Sequence, residues 1–254
     1  MKRYLLIVIS LLLGTNFVSA QVYEQTFEEG NKLYAEANFK AAASQYQKIV
    51  DAGYASSKLF YNLGNAYYKQ KQYAKAILYF EKAYVLNPSD SQIKHNLEFT
   101  RLQTRDKIEA IPSFFIKEWA DGIRNLLSAN GWSWLSLASL LSAGILFILY
   151  RFTGTIFLKK IYFSLSCFFV LVLIVAIWNA NSKTQSIRYP NSAIVMAPVV
   201  VVKSSPDQSG KELYVIHEGT KITLTDTPSV PGWREIKIAD GNVGWVQNST
   251  FEVI

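Results

Sequence analysis

The chain has one cysteine and two histidines in 254 residues, and these shortages remove whole classes of chemistry. A lone thiol, Cys167, excludes an intramolecular disulfide and a thiolate metal cage. With His95 and His217 as the only imidazoles, a histidine metal site has little to build on, so no metal ligand and no cofactor is assigned. No Gly-rich phosphate loop, His-Glu-x2-His, Gly-x-Ser-x-Gly or Cys-x2-Cys occurs anywhere. His217 beside Glu218 reads as a structural or exposed pair, and Glu28-Glu29 as part of a helix surface. No catalytic residue is assigned, and an enzyme is not expected. The net charge of +7 is spread without a block of like charges. That suits a protein beside an anionic membrane and does not argue for nucleic acid.

Charge itself is missing from two long stretches. Nothing between Arg124 and Arg151, and nothing between Lys160 and Lys183, is ionisable as an acid or base of Asp, Glu, Lys or Arg type. Each run exceeds the roughly 20 apolar residues that a membrane-crossing helix needs. Two transmembrane helices are expected, at residues 132–150 and 161–182. The loop 151–160 carries Arg151, Lys159 and Lys160 and no acid, and short cationic loops stay on the cytoplasmic side. Trp132, Trp134 and Trp178 stand at the opposite ends of the runs, where indole rings favour the headgroup region. A buried hairpin of a non-membrane protein is the alternative, but it would need a second apolar layer to cover it. Mean hydropathy is only +0.11 because the runs are averaged with ordinary polar segments.

Met1-Lys2-Arg3, the apolar run 4–13 and the small residues Val18-Ser19-Ala20 have the three parts of a secretory signal, so residues 1–20 read as a signal peptide. An uncleaved third span is the alternative. Either way the next segment is exported, and an inward span followed by an outward one places the C-terminal part outside as well. Both folded parts then share the periplasm of a bacterial inner-membrane protein.

Residues 26–53 align with 60–87 at a spacing of 34: Gly30 with Gly64, Phe39 with Tyr73, Ala42 with Ala76, Tyr46 with Phe80. The second copy reads Phe60-x2-Leu63-Gly64-x2-Tyr67, then Tyr73-x2-Ala76-x3-Phe80-x2-Ala83 and Pro88. These residues resemble the tetratricopeptide repeat family, with copies at about 23–56 and 57–90. Gly30, Ala42, Gly64, Ala76 and Ala83 allow close helix approach, Leu63, Tyr67, Tyr73 and Phe80 fill the space, and Pro88 ends the helix. The first copy departs from the pattern at Leu33 and Ile49. Two copies seldom bury enough to stand alone, so a helix from Ser91 to about Gln103 is expected as a cap, completing a unit over 21–103. Family geometry implies that Asn31, Tyr34, Tyr61, Asn62, Asn65, Tyr68 and Lys69 face a peptide-binding groove. Asn31 and Asn62 resemble the asparagines of the carboxylate-clamping class, whereas Phe27 stands where that class has a lysine, so the cation of its charge-assisted hydrogen bonds is missing. Residues 104–131 form an amphipathic linker, whose apolar face over 113–128 either lies on the membrane or packs on the repeats.

After a polar linker at 182–192 the pattern turns to short β-branched runs: 193–202, 212–217, 221–225, 233–238 and 243–246. Five strands in so few residues suggest a small barrel. Glu218-Gly219, Gly232-Trp233-x2-Ile236 and Asp240-Gly241-x2-Gly244-Trp245-Val246 resemble the bacterial Src-homology-3-like domain over 193–254. Tyr214, Trp233 and Trp245 are the rings to test for a ligand groove, with Trp245 in the barrel core as the alternative.

The fold class is therefore a multidomain membrane protein: an all-α tetratricopeptide helical repeat, two transmembrane helices and a small all-β Src-homology-3-like barrel. This order, with the run 61–68, Ile93-Lys94-His95-Asn96-Leu97-Glu98 and Asp106-Lys107-Ile108-Glu109, resembles the BatE-type branch of the Bat (aerotolerance) family. The resemblance implies an inner-membrane scaffold beside von Willebrand A-type Bat proteins and a MoxR-type ATPase, in oxygen tolerance or envelope stress. The alternative is an envelope sensor or anchor that binds peptidoglycan through the C-terminal domain. Partners expected are proteins and the lipid bilayer.

Overall fold

The computed structural model describes residues 23–254 except 110, 113 and 229; the signal-peptide expectation lies outside the described residues. The N-terminal unit consists of α1 (23–35), α2 (Phe39–Asp51), α3 (Ser57–Lys69), α4 (Tyr73–Leu86) and α5 (Ser91–Arg101). Side-chain oxygens of Asn38, Ser56 and Asp90 accept the first free N–H groups of α2, α3 and α5, which is why those helices begin where they do. The two intra-repeat turns are copies of one another. Ala37 and Lys71 both have φ 59°, and the N–H of the next residue returns to Leu33 O at 2.9 Å and to Tyr67 O at 3.0 Å. The glycines mark the helix crossings. A methyl on Gly30 would sit 2.5 Å from the Tyr46 ring, and one on Gly64 2.7 Å from the Phe80 ring.

α4 has Ala76 to Glu81 buried in unbroken succession. A helix buried all round needs a neighbour on each side. On one side are α3 and α5; on the other is the C-terminal sheet, whose Ile194 belongs to the same core as Ile77, Phe80 and Leu97.

That sheet has seven described strands: β1 (Ser192–Val195), β2 (Val199–Lys203), β3 (Glu212–His217), β4 (Lys221–Leu224), β5 (Trp233–Lys237), β6 (Val243–Gln247) and β7 (Phe251–Val253). Their order is β3-β2-β6-β5-β4-β1-β7, all antiparallel. Two expectations are corrected. The run 193–202 is two strands, because Pro198 breaks it, and the pieces lie apart in the sheet. The barrel is not closed: β3 and β7 are edges that do not pair with each other. The β7 edge instead faces the repeats, where Lys82 meets Glu252 at 3.5 Å and Ile254 packs into the helical core. The sheet's own core is Ala193, Val195, Val200, Val202, Ile216, Ile222, Ile236, Ile238 and Val246. Alternation along β1 thus sends Ala193 and Val195 to one core and Ile194 to the other.

Between the two units, α6 (Phe115–Arg124) is followed by α7 (Ala129–Phe152) and α8 (Ile156–Arg188). Both α7 and α8 are long and apolar enough to cross a membrane. They pack on one another through small residues, Ser139, Ala143, Ser166 and Ala176, and the Ser166 hydroxyl donates to Ala143 O at 3.1 Å. Their outer faces are bare: Leu141, Phe152, Leu171 and Trp178 are all exposed. The polar linker expected at 182–192 is corrected, since α8 runs to Arg188 and only three residues precede β1.

Candidate functional site

The first helices of successive repeats, α1 and α3, and the cap α5 lie side by side, and a ladder of asparagines ties them. Asn62 Nδ2 donates to Asn31 Oδ1 at 2.9 Å, and Asn96 Nδ2 donates to Asn65 Oδ1 at 2.9 Å. The second bond is the first moved on by one repeat, since Asn65 follows Asn31 and Asn96 follows Asn62 by the same 34 positions. α5 is therefore the first helix of a third repeat, with Ile93 and Leu97 buried where Leu59 and Leu63 are buried before it. Where Tyr46 donates to Asn31 at 2.8 Å, its counterpart Phe80 has no hydroxyl. Tyr61, whose counterpart is Phe27, accepts from Asn96 at 3.1 Å instead.

Beside this ladder opens a cavity of about 410 Å³. Tyr34, Tyr61, Asn65, Tyr68 and Lys69 line it together with Phe80, His95, Asn96, Phe99 and Thr100. Five of the seven residues expected for the groove thus meet around one space. Asn31 and Asn62 are not among its lining residues; they are engaged with each other and with Tyr46. The ammonium of Lys58 lies 5.0 Å over the Phe27 ring at the clamp-like end. Tyr68 and His95 both pack against Phe99, with ring centroids 6.0 Å and 6.3 Å apart. Phe99 is 47% exposed, so its ring is offered to whatever enters. Burial, with the nearby Tyr61, pushes the Tyr34 phenol up, and burial raises Tyr46 to about 12. Both phenols stay protonated and able to donate at neutral pH. Chemically the site offers flat apolar rings, amide and hydroxyl groups, and one cation, Lys69, on an exposed rim.

The sheet rings do not converge. Register pairs Tyr214 with the core residue Val202, and burial followed by the charge of Asp240 pushes its phenol up to about 12. Trp245 pairs with Glu235 and Lys203, one step out of phase with core residues Val246 and Ile236. Trp245 and Trp233 therefore share the face opposite Tyr214.

A second constellation was not anticipated from the sequence. Glu81 on α4 is 2% exposed and binds Arg101 on α5 and Lys221 on β4, the latter at 2.9 Å. Asp106, in the segment after α5, accepts from the His217 N–H at 2.7 Å and the Thr220 hydroxyl at 2.7 Å, and contacts the His217 ring at 2.6 Å. Burial alone would raise the Asp106 carboxyl; the hydrogen bonds from Thr220 and His217 outweigh it and hold the group below the usual carboxylate range. These contacts fasten the sheet to the back of the repeats and leave the α1, α3 and α5 face open. An acid at the end of the uncharged run Ala76–Phe80 was the available signal for Glu81. The 34-residue spacing of Asn62 and Asn96 was the signal for the extra groove residues.

Fold and groove together define a helical-repeat protein whose α1, α3 and α5 face is open and whose back carries an antiparallel sheet. The tetratricopeptide repeat family matches residues 57–90, which are α3, α4 and their flanks. No curated protein matches the chain. Repeats of this kind bind proteins, so protein partners are indicated in general terms.

Proposed function

We propose that this chain is a non-enzymatic, membrane-anchored adaptor that captures an extended segment of a partner protein in the groove of α1, α3 and α5. The cavity beside the asparagine ladder carries this reading, because it combines aromatic faces, amide donors and acceptors and a rim cation on a face the sheet leaves uncovered. α7 and α8 anchor it in the bacterial inner membrane, with the cationic tip inside and both folded units in the periplasm. The docking of β1 on α4 supports that topology: two units in contact need an even number of crossings between them. The C-terminal sheet is read as Src-homology-3-like. In support, the turn glycines of its motif, Gly219, Gly232 and Gly241, have φ of 85°, 80° and 90°. The resemblance to the Bat family supplies the expected partners, von Willebrand A-type membrane proteins in an aerotolerance or envelope-stress complex.

Affinity purification of the crosslinked native protein tests the reading. Replacing Asn65, Tyr68 and Lys69 by Ala together is expected to abolish recovery of the partner while the helical content and cooperative unfolding persist. Undiminished recovery contradicts it. A second reading, peptidoglycan binding by the sheet, is favoured by Trp233 and Trp245 sharing one face away from the core. Sedimentation of the full chain with purified wall, against the same chain with both tryptophans replaced by Ala, separates the two: loss of co-sedimentation supports the second.

A further inference from the structure

α6 carries an apolar face that, among the described residues, is left exposed at Phe115, Ile116 and Trp119. Its helical positions divide cleanly: Phe115, Ile116, Trp119 and Ile123 fall on one side, and Lys117, Asp121 and Arg124 on the other. None of its side chains is buried, and Trp119 is 72% exposed, Phe115 68%. An exposed stripe alone does not say what it meets; two attachments do. The Trp132 indole, in the first turn of α7, donates to Arg124 O at 3.0 Å, and Lys183, near the end of α8, donates to Asn125 Oδ1 at 3.2 Å. The C-terminal end of α6 is therefore bolted to both helices of the hairpin, at the ends away from the 153–155 connection.

We infer that α6 lies in the plane of the membrane, with Phe115 and Trp119 at the boundary between lipid headgroups and acyl chains and Lys117 and Asp121 in water. This rests on the reading of α7 and α8 as membrane-spanning. At the height fixed by Trp132 and Lys183 the first medium available to an apolar side chain is the headgroup boundary, where tryptophan and phenylalanine are most favoured. The acids and bases of α6 balance, so lipid is held by apolar burial rather than by attraction to anionic headgroups. An in-plane helix also fixes how far the repeats stand from the bilayer, since the segment after α5 is tied to the sheet through Asp106 and through Ile111 N–H to Ala239 O at 3.1 Å.

The test uses the full chain in phosphatidylcholine vesicles, with Cys167→Ser removing the native thiol. Spin labels are placed singly at Phe115→Cys, Trp119→Cys, Lys117→Cys and Asp121→Cys. Relaxation by a water-soluble nickel chelate is expected to be lost at 115 and 119, with oxygen relaxation gained, and retained at 117 and 121. Equal chelate access at all four sites overturns the inference. The otherwise native chain labelled at Cys167 separates the causes. A label there that is shielded in lipid, with 119 in water, sinks the in-plane helix alone, whereas a Cys167 label open to the chelate sinks the spanning hairpin with it.

Discussion

At the scale of single residues, the repeat works because small groups sit where rings must pass. Gly64 is the sharpest case, since its α-carbon faces the Phe80 ring with no room for a methyl. Gly64→Ala is expected to destabilise the protein by about 1–3 kcal/mol through overpacking, measured as a lowered denaturant midpoint at constant slope. Phe80→Leu should restore part of the loss in the double variant, because it removes the obstructing ring edge. Both glycines and both rings were legible from the 34-residue period. The fate of Asn31 and Asn62 was not. An asparagine aimed at a ligand and one aimed at a neighbour 31 positions away look alike in a sequence, and only the partner, here Tyr46 and the opposing amide, separates them.

At the scale of elements, apolar pattern located the helices and every strand except β7, which is only three residues long and follows the last expected run, but it did not reveal how they were shared between units. α4 reads as an ordinary repeat helix until its second buried face is noticed. β1 and β2 read as one strand because Pro198 alone divides a continuous apolar run. α8 outlasts its apolar stretch by several polar residues, since Ser, Thr and Gln can continue a helix into water. The described residues between α5 and α6 form no helix or strand, yet they carry the Asp106 tie to His217 and Thr220. That tie makes a pH-dependent contribution whose sign follows from the depressed carboxyl. The contribution is complete above the ordinary value of 3.8 and is lost as pH falls through the lower folded value. Thermal unfolding compared with Asp106→Asn should show the native chain more stable at neutral pH, with the difference shrinking only below about pH 4. A difference that stays constant into strong acid would contradict the assignment.

At the scale of the whole molecule, the repeats and the sheet are one body with a hairpin inserted between them. The sheet takes the place of a neighbour on the back of α4, where Ile194, Lys221 and Glu252 meet the helices. Two and a half repeats have too little surface to bury among themselves, and this second layer supplies the rest. The arrangement constrains the topology, because the body cannot form if its halves are separated by a bilayer. Impermeant thiol labelling of intact cells tests that most directly, using single cysteines at Glu36 in the turn after α1, Glu212 on β3 and Gly154 in the hairpin connection, in a Cys167→Ser background. Reaction from outside at Glu36 and Glu212, with Gly154 reacting only after permeabilisation, is the predicted result. Labelling that puts Glu36 and Glu212 on different sides of the membrane would contradict it.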